Sequence, residues 1–136
     1  MKIVYWSGTG NTESMAELIG KGIKEGGKDV EILRVDEVNI DELLKDDVLT
    51  LGCPAMGDEV LEEGEFEPFI ESICDKVSGK KVNLFGSYGW GDGQWMRDWE
   101  ERMKNCGCTI TEEPLIFQGE ADEEECIKFG KKIALL

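Results

Sequence analysis

The sequence predicts a doubly wound α/β fold, in which a five-stranded parallel sheet carries helices on both faces. Five short segments are rich in β-branched and apolar residues, and helix-period spacing fills the stretches between them. Two of the segments, "VLTLGC" and "VNLFGS", are almost continuously apolar, which is typical of parallel strands buried on both faces. The 136 residues suit a single domain, which we expect to span residues 1–136.

The strands are predicted from short runs of β-branched and apolar residues that end at glycine, proline or charged residues. These runs are residues 2–6, 30–35, 48–53, 81–87 and Leu115–Gln118. The sequence contains no internal repeat and no low-complexity linker, which agrees with one compact sheet.

The helices are predicted from apolar residues that recur at intervals of three and four. The first helix carries Met15, Leu18, Ile19, Gly22 and Ile23, and Gly26 and Gly27 end it. Three later helices are predicted around Phe66, Phe69, Ile70, Ile73 and Val77, around Trp95, Trp99, Met103 and Cys106, and around Cys126, Ile127, Phe129, Ile133 and Ala134. Residues 40–44 are too few to assign.

Ligands of open α/β sheets bind beyond the carboxyl ends of the strands, so the loops that follow the strands are the candidate site. The first, third and fourth strands are followed by the glycine-rich loops "SGTGNT", "PAMGDE" and "YGWGDG", and the fifth by "GEADEEE". We therefore expect one site, built from these loops.

The "SGTGNT" loop has the composition of a phosphate-binding turn. Polar side chains and glycines alternate along it, in Ser7, Gly8, Thr9, Gly10, Asn11 and Thr12. Backbone N–H groups at a helix N-terminus bind anions. A P-loop is excluded because no lysine lies between residues 3 and 20, and Glu13 replaces the third small residue of a dinucleotide fingerprint. A plain N-cap is the alternative, although capping needs only one such side chain.

Two further loops provide candidate walls for a flat ligand. In "MGDE", Gly57 takes the first central position of a four-residue turn, as type II′ requires, and the alternative is an ordinary surface turn. In "SYGWGDG", Trp90 stands between Gly89 and Gly91, which favours a stacking platform over an indole folded back onto its own domain. Trp95 and Trp99 are assigned to core packing.

Three stretches, "VYWSGTGNTESMA", "GCPAMGDEVLEEGEFEPF" and "LFGSYGWGDGQWMRDWEERM", resemble the flavodoxins. The similarity is closer to the short-chain flavodoxins of anaerobic bacteria, and it runs over essentially the whole chain. The insertion of the long-chain class is absent, because the last strand is followed almost at once by the C-terminal helix. The resemblance thus implies a flavodoxin-like fold.

The resemblance also implies one noncovalently bound FMN. Residues 7–12 and Ser87 would hold the phosphate, Trp90 and Met56 would sandwich the isoalloxazine ring, and Gly89 would donate its N–H to the pyrimidine end. The Gly57–Asp58 peptide would turn over on one-electron reduction, and Glu59 would contact the far edge of the ring. The implied contact set is Ser7, Gly8, Thr9, Gly10, Asn11, Thr12, Pro54, Ala55, Met56, Gly57, Asp58, Glu59, Ser87, Tyr88, Gly89, Trp90 and Gly91.

Two positions depart from the pattern of similar proteins. Pro54 stands where many relatives carry a serine or threonine that assists the phosphate, and Gly119 stands where close relatives tend to have a polar residue near the ring. These departures concern details of the contacts around FMN and leave the cofactor unchanged.

The chain carries a formal net charge of −15, which excludes nucleic acid and anionic membrane surfaces as natural partners. Seven carboxylates lie in residues 58–71 and five in residues 120–125, while lysines gather near predicted helix ends. Helix dipoles account for part of this pattern. Because helix starts share the carboxyl edge of the sheet, the FMN end should be an acidic pole that docks basic surfaces of redox enzymes, both reductases and low-potential oxidoreductases.

Five cysteines, an odd number, and no histidine point to reduced thiols and to no metal site. The cysteines are Cys53, Cys74, Cys106, Cys108 and Cys126. No apolar run is long enough for a membrane helix or a signal peptide, so we expect a cytoplasmic protein.

The combined prediction is a monomeric, low-potential one-electron carrier that cycles between the semiquinone and hydroquinone of FMN, and not an enzyme. An FMN-dependent small-molecule reductase is the alternative, although no histidine is available as a proton donor. A signalling receiver would need acids where Ser7 and Pro54 stand, and a low-molecular-weight phosphatase would need arginine in place of Glu59, six residues after Cys53. Failure to bind FMN would reopen both.

Overall fold

The computed structural model describes all residues from 1 to 136. Its strands are Lys2–Tyr5 (β1), Glu31–Arg34 (β2), Val48–Gly52 (β3), Lys81–Tyr88 (β4), Thr109–Ile110 (β5) and Leu115–Gln118 (β6). Its helices are Asn11–Glu25 (α1), Ile40–Leu43 (α2), Phe66–Ile73 (α3), Gln94–Asn105 (α4) and Glu123–Ala134 (α5), with 3₁₀ turns at Val35–Glu37 and Cys74–Lys76. None of the helices is both long and apolar enough to cross a membrane.

The sheet is entirely parallel, with the order β2-β1-β3-β4 and a fifth position shared by β5 and β6. β5 pairs with the beginning of β4, from Lys81↔Thr109, and β6 pairs with its end, from Phe85↔Leu115. The residues between them include Pro114, which has no N–H to donate to a ladder. The five-stranded sheet is confirmed, with its edge strand broken in two, and β5 escaped prediction because two residues form no recognisable pattern.

Helices cover both faces of the sheet, as predicted. Ile3 and Tyr5 face a core shared with α1 and α5, whereas Val4 faces the larger core formed with α2, α3 and α4. A Cβ atom placed on Gly22 of α1 would lie 2.1 Å from a backbone oxygen of α5, so the two helices touch backbone to backbone. This contact holds α1, whose N-terminus reaches the candidate site.

The second and third predicted helices are shorter than expected. α3 ends at Ile73 and a 3₁₀ turn follows, so Val77 is buried but lies outside the helix. α4 ends at Asn105, which makes Cys106 its C-cap residue. The apolar spacing continued past both helix ends because these side chains still point into the core.

Cys74 and Cys106 form a disulfide, so the prediction that all five cysteines are thiols is wrong for this pair. The two residues are 32 positions apart in the sequence, yet their Cα atoms lie 5.0 Å apart because α3 and α4 end at the same edge of the sheet. That proximity is set by packing, which cysteine spacing does not reveal. Cys53, Cys108 and Cys126 are free and buried.

Candidate functional site

The glycine-rich loops meet at the carboxyl edge of the sheet, around a cavity of about 240 Å³. This juxtaposition follows from the parallel topology, because the loops after β1, β3 and β4 leave neighbouring strands at the same edge. The lining residues are Trp6, Gly8, Thr9, Asn11, Pro54, Ala55, Met56, Ser87, Tyr88, Gly89 and Gly119. Nine of them belong to the predicted contact set, and Trp6 and Gly119 extend it.

The loop before α1 presents unpaired backbone donors. Gly10 adopts a left-handed conformation, with φ of 99°, and no side chain caps the helix as an Ncap residue. The backbone N–H groups of Gly8, Thr9, Asn11 and Thr12 form no hydrogen bond within the protein. An anion at the start of α1 would satisfy these groups and interact favourably with the helix dipole.

The hydroxyl groups of this loop also keep protons free for a ligand. Ser7 Oγ accepts from the N–H groups of Gly10, at 3.1 Å, and Glu13, at 3.3 Å, so its own proton remains available. The buried hydroxyls of Thr12 and Ser87 lie 2.9 Å apart and form a hydrogen bond. The hydroxyl that accepts this bond keeps its own proton available for a ligand. The end of β4 is thereby joined to the start of α1.

Trp6 forms a wall of the cavity that the sequence analysis missed. A Cβ atom on Gly8 would lie 3.0 Å from Cη2 of the indole, so only glycine fits comfortably between this ring and the cavity. The indole Nε1 donates to Glu65 Oε1 at 3.2 Å, which fixes the ring against the start of α3. The position of Trp6, directly between β1 and the phosphate loop, was the available signal.

The "MGDE" loop is closed one residue later than predicted. The N–H of Met56 donates to the Val60 oxygen at 2.8 Å, and the N–H of Val60 returns to the Met56 oxygen at 3.0 Å. The predicted positive φ of Gly57 is confirmed, at 44°, but the four-residue turn is wrong. Glu59 adopts a φ of 56°, which inserts a third residue between the bridged pair. The N–H groups of residues 57–59 form no hydrogen bond.

Glu59 brings the "MGDE" loop against the "YGWGDG" loop. Its Oε1 atom is buried without a hydrogen-bond partner, and a Cβ atom on Gly91 would lie 2.2 Å from it. Any side chain at position 91 would therefore displace the Glu59 carboxylate. Glu59 does not line the cavity of the candidate site, and its unpaired carboxylate oxygen has no donor within the protein.

Trp90 is 62% exposed, so the alternative in which its indole folds back onto the domain is wrong. It does not line the cavity itself. The N–H of Gly89 is unpaired, whereas its oxygen accepts from Gln118 Nε2 at 3.1 Å. Trp95 and Trp99 are each 1% exposed, which confirms their assignment to the core.

The two unusual positions of the cavity are both compatible with the surrounding backbone. The N–H groups of Cys53 and Ala55 bond to β4, so a donor at Pro54 would face the side where β1 has already ended. Gly119 has a φ of 76° and open space where a side chain would stand, and its N–H bonds to the Tyr88 oxygen.

Glu62 organises the segment between the "MGDE" loop and α3. Its carboxylate accepts from the N–H groups of Gly64, Glu65 and Phe66 at 2.7 to 2.9 Å. Burial raises the pKa of Glu62, but these three hydrogen bonds together lower it more. The pKa of the Glu62 carboxyl is therefore lowered from its ordinary value of 4.5. The sequence analysis treated this residue only as one charge of the acidic pole.

The charges are distributed as the sequence predicts. First-turn acids are Glu13 of α1, Glu67 of α3 and Glu123, Glu124 and Glu125 of α5. Last-turn bases are Lys24 of α1, Arg102 and Lys104 of α4, and Lys131 and Lys132 of α5. Arg97 is a base close to the "YGWGDG" loop, and it pairs with Asp92 at 3.0 Å. The carboxyl edge of the sheet is therefore the acidic end.

Comparison with known proteins agrees with this geometry. Residues 3–130 match the flavodoxin family. The chain is 73% identical to a flavodoxin of Clostridium beijerinckii, over 98% of this chain and 99% of the relative, and 46% identical to a flavodoxin of Megasphaera elsdenii, over 98% of each. The solution structure of two-electron reduced Megasphaera elsdenii flavodoxin superimposes with a TM-score of 0.93 over 99% of this chain and 98% of that one. The chain belongs to the flavodoxin family of FMN-binding electron carriers.

Proposed function

We propose that residues 7–12 hold the phosphate of FMN, and that the carboxyl edge as a whole holds its ring. The observation that carries the proposal is the group of unpaired N–H donors at Gly8, Thr9, Asn11 and Thr12, which lie at a helix N-terminus without any lysine or arginine among them. Such a donor set fits a terminal phosphate monoester held by hydrogen bonds. Free hydroxyl protons at Ser7 and at the Thr12–Ser87 pair add to it.

The ring contacts follow from the other two loops. Trp90 offers an exposed indole and Met56 a cavity-lining thioether, and these would cover the two faces of the isoalloxazine. The unpaired N–H of Gly89 would donate to the pyrimidine end of the ring, and Glu59 would contact the far edge. Asp58 lies between two residues of positive φ, in a segment with few hydrogen bonds, which supports rotation of the Gly57–Asp58 peptide.

FMN supplies the one-electron redox chemistry when it is bound. The residues of this chain would lower the reduction potential of FMN. Carboxylates at the acidic end disfavour added negative charge on the ring, and the guanidinium near the "YGWGDG" loop, that of Arg97, is paired with Asp92. A carbonyl turned from the Gly57–Asp58 peptide would accept from the protonated ring and stabilise the neutral, singly reduced state. Together these effects support a low-potential carrier.

The acidic end is the proposed docking surface for basic faces of redox enzymes. Trp90 and Val60 are the exposed large apolar residues beside it, and they would form the short apolar centre of such a contact. Only Leu135 is comparably exposed elsewhere, so no large apolar patch favours self-association, which supports a monomer of one FMN-binding domain. The cytoplasmic location stays a prediction from the sequence, because the three buried free thiols favour a reducing compartment whereas the Cys74–Cys106 disulfide favours an oxidising one.

A reductive titration of the purified, FMN-loaded protein tests the proposal. We expect one FMN per chain and a blue, neutral, singly reduced flavin that accumulates before full reduction. Conversion of oxidised to fully reduced flavin without this species would contradict the one-electron assignment. Steady-state turnover of a small acceptor with a nicotinamide donor alone would instead support the small-molecule reductase.

A further inference from the structure

The segment that leads into α3 contains a glutamate whose side chain bonds to a wall of the FMN cavity. Glu65 occupies the N-cap position of α3, yet its carboxylate caps no backbone group of that helix. Glu62 accepts from the N–H groups of Gly64, Glu65 and Phe66 instead. The Glu65 carboxylate is therefore free of its own helix, and its Oε1 accepts from Trp6 Nε1 at 3.2 Å.

Trp6 connects the two faces of the sheet beside the FMN cavity. Its side chain is half-buried, packs on the core formed with α2, α3 and α4, and lines the cavity. The chain then turns through the phosphate loop into α1, which covers the opposite face. A residue between β1 and this loop can thus hold the loop against the start of α3.

The indole of Trp6 is the one group that packs on the phosphate loop at Gly8. A Cβ atom placed on Gly8 would lie 3.0 Å from Cη2 and 3.2 Å from Cζ3 of the indole, and no other group outside its chain neighbours lies within 4 Å. The unpaired N–H groups of the loop begin here, at Gly8 and Thr9. Ser7 Oγ closes the loop farther along, where it accepts from the N–H of Gly10. The placement of the first two donors therefore depends on the indole.

We propose that Glu65 and Trp6 are positioning residues for the phosphate of FMN. Glu65 fixes the indole through its hydrogen bond, and the indole holds Gly8, so that the N–H groups of Gly8 and Thr9 stay aligned with the other donors of the loop. This inference rests on the proposed function, in which residues 7–12 hold the phosphate. Because the charge of Glu65 would repel a phosphate, its acceptor oxygen is the feature that the loop needs.

The hydrogen bond is tested by two replacements of Glu65 that remove the same charge. Glu65→Met removes the acceptor, whereas Glu65→Gln keeps one. The affinities of each variant for FMN and for riboflavin are measured by fluorescence titration and expressed as a ratio. We expect Glu65→Met to lower the preference for FMN about threefold to tenfold relative to Glu65→Gln, because poorly aligned donors weaken only the phosphate contacts.

Two further variants control this comparison. Glu63→Met removes a charge from an exposed side chain that bonds no backbone group, so its preference for FMN should match that of Glu65→Gln. Trp6→Phe removes the indole N–H and should lower the preference at least as much as Glu65→Met, which should then have no further effect in the Trp6→Phe background. Equal weakening of FMN and riboflavin by Glu65→Met, or additive effects of the two replacements, would overturn the positioning role.

Amide resonances of the FMN-loaded chain separate this inference from the phosphate assignment. We expect Glu65→Met, but not Glu63→Met, to shift the Trp6 Nε1–H resonance together with the backbone N–H resonances of Gly8 and Thr9. A shift at Trp6 that left Gly8 and Thr9 unchanged would overturn the inference while the phosphate assignment stood. Equal affinities of the unaltered protein for FMN and riboflavin would overturn the phosphate assignment itself, and with it the role of both residues.

Discussion

The two edges of the sheet treat their backbone polar groups in opposite ways. At the carboxyl edge, the phosphate loop, the "MGDE" loop and the "YGWGDG" loop leave N–H groups unpaired, and Glu59 is the one non-glycine residue at positive φ. At the amino edge, Lys80 Nζ donates to the Leu44 and Asp46 oxygens at 2.8 Å, Lys2 pairs with Asp46 at 3.1 Å, and a disulfide joins the ends of α3 and α4. The amino edge therefore contributes stabilising contacts, and the carboxyl edge offers unpaired groups for binding.

The largest expected effect concerns the phosphate loop. Riboflavin, which lacks the phosphate, should bind about 1000-fold more weakly than FMN, which corresponds to about 4 kcal/mol. Riboflavin loses several charge-assisted hydrogen bonds of about 1.5–3 kcal/mol each, and the desolvation cost of the phosphate, which only FMN bears, offsets part of that loss. Fluorescence titration of both ligands measures the ratio.

The matched variant is Gly10→Ala, because Gly10 has a φ of 99° that a side chain disfavours, while the space at its Cβ position is open. It should lower FMN affinity much more than riboflavin affinity, because the strain falls on the phosphate loop and leaves the Trp6 wall in place. Equal affinities of the unaltered protein for the two ligands would count against the phosphate assignment.

The next effect should appear at the opposite edge. The double replacement Cys74→Ser with Cys106→Ser opens a crosslink between residues 32 positions apart, so the free energy of unfolding should fall by about 3–4 kcal/mol. FMN affinity should change less than about twofold, because the disulfide and the FMN site lie at opposite edges of the sheet and distant sites rarely couple. Urea unfolding and FMN titration measure the two quantities.

A thiol count provides the control for this crosslink. The unfolded protein should react at three cysteines before treatment with a dithiol reductant, and at all five afterwards. Five reactive thiols without reductant would show that Cys74 and Cys106 are not joined.

A smaller effect should depend on pH. Glu62→Gln should lower the free energy of unfolding by about 1–2 kcal/mol at neutral pH, because an amide accepts more weakly than a carboxylate from Gly64, Glu65 and Phe66. The pKa of Glu62 is lowered on folding, so this stabilisation is present above 4.5 and is lost as pH falls through the folded pKa.

Unfolding curves of the two proteins should therefore converge at acid pH. Glu63→Gln is the matched control, because the side chain of Glu63 bonds no backbone group. A Glu62→Gln difference that persisted unchanged below the folded pKa would contradict the role of the charge.

The smallest effect is expected for the ion pair that joins α3 to α4. Arg102 donates to both carboxylate oxygens of Glu67 while each side chain stays about one-third exposed, so the coupling should be about 0.5–1 kcal/mol. The pair lowers the pKa of Glu67. A double-mutant cycle with Arg102→Met and Glu67→Gln measures the coupling, which should weaken in high salt. A coupling insensitive to salt would indicate packing rather than charge.

The local parts of the fold could be predicted from the sequence. The apolar spacing from Met15 to Ile23 predicted α1, and that helix runs from Asn11 to Glu25. The polar, glycine-containing turn before it was predicted as a phosphate loop, and the match to the flavodoxin family supports that interpretation. These features depend on residues within a few positions of each other, so periodicity and turn chemistry report them directly.

Contacts between distant segments could not be predicted in this way. Nothing near Glu59 in the sequence indicates that its carboxylate lies against Gly91, and nothing near Cys74 indicates Cys106. The closure of the "MGDE" loop by Val60 depends on the conformation of Glu59, which Gly57 alone does not define. Such contacts are set by sheet register and helix packing.

The sequence by itself determined the five main strand positions, four of the helices and the acidic character of the loops around the site, and its resemblance to the flavodoxins gave the class of cofactor. Only the tertiary structure decided which groups meet, including the three N–H groups on Glu62 and the hydrogen bond between Trp6 and Glu65. The physical reason is range: hydrophobic periodicity and backbone preference act over a few residues, whereas hydrogen bonding and burial depend on the packing of segments that are far apart in the chain.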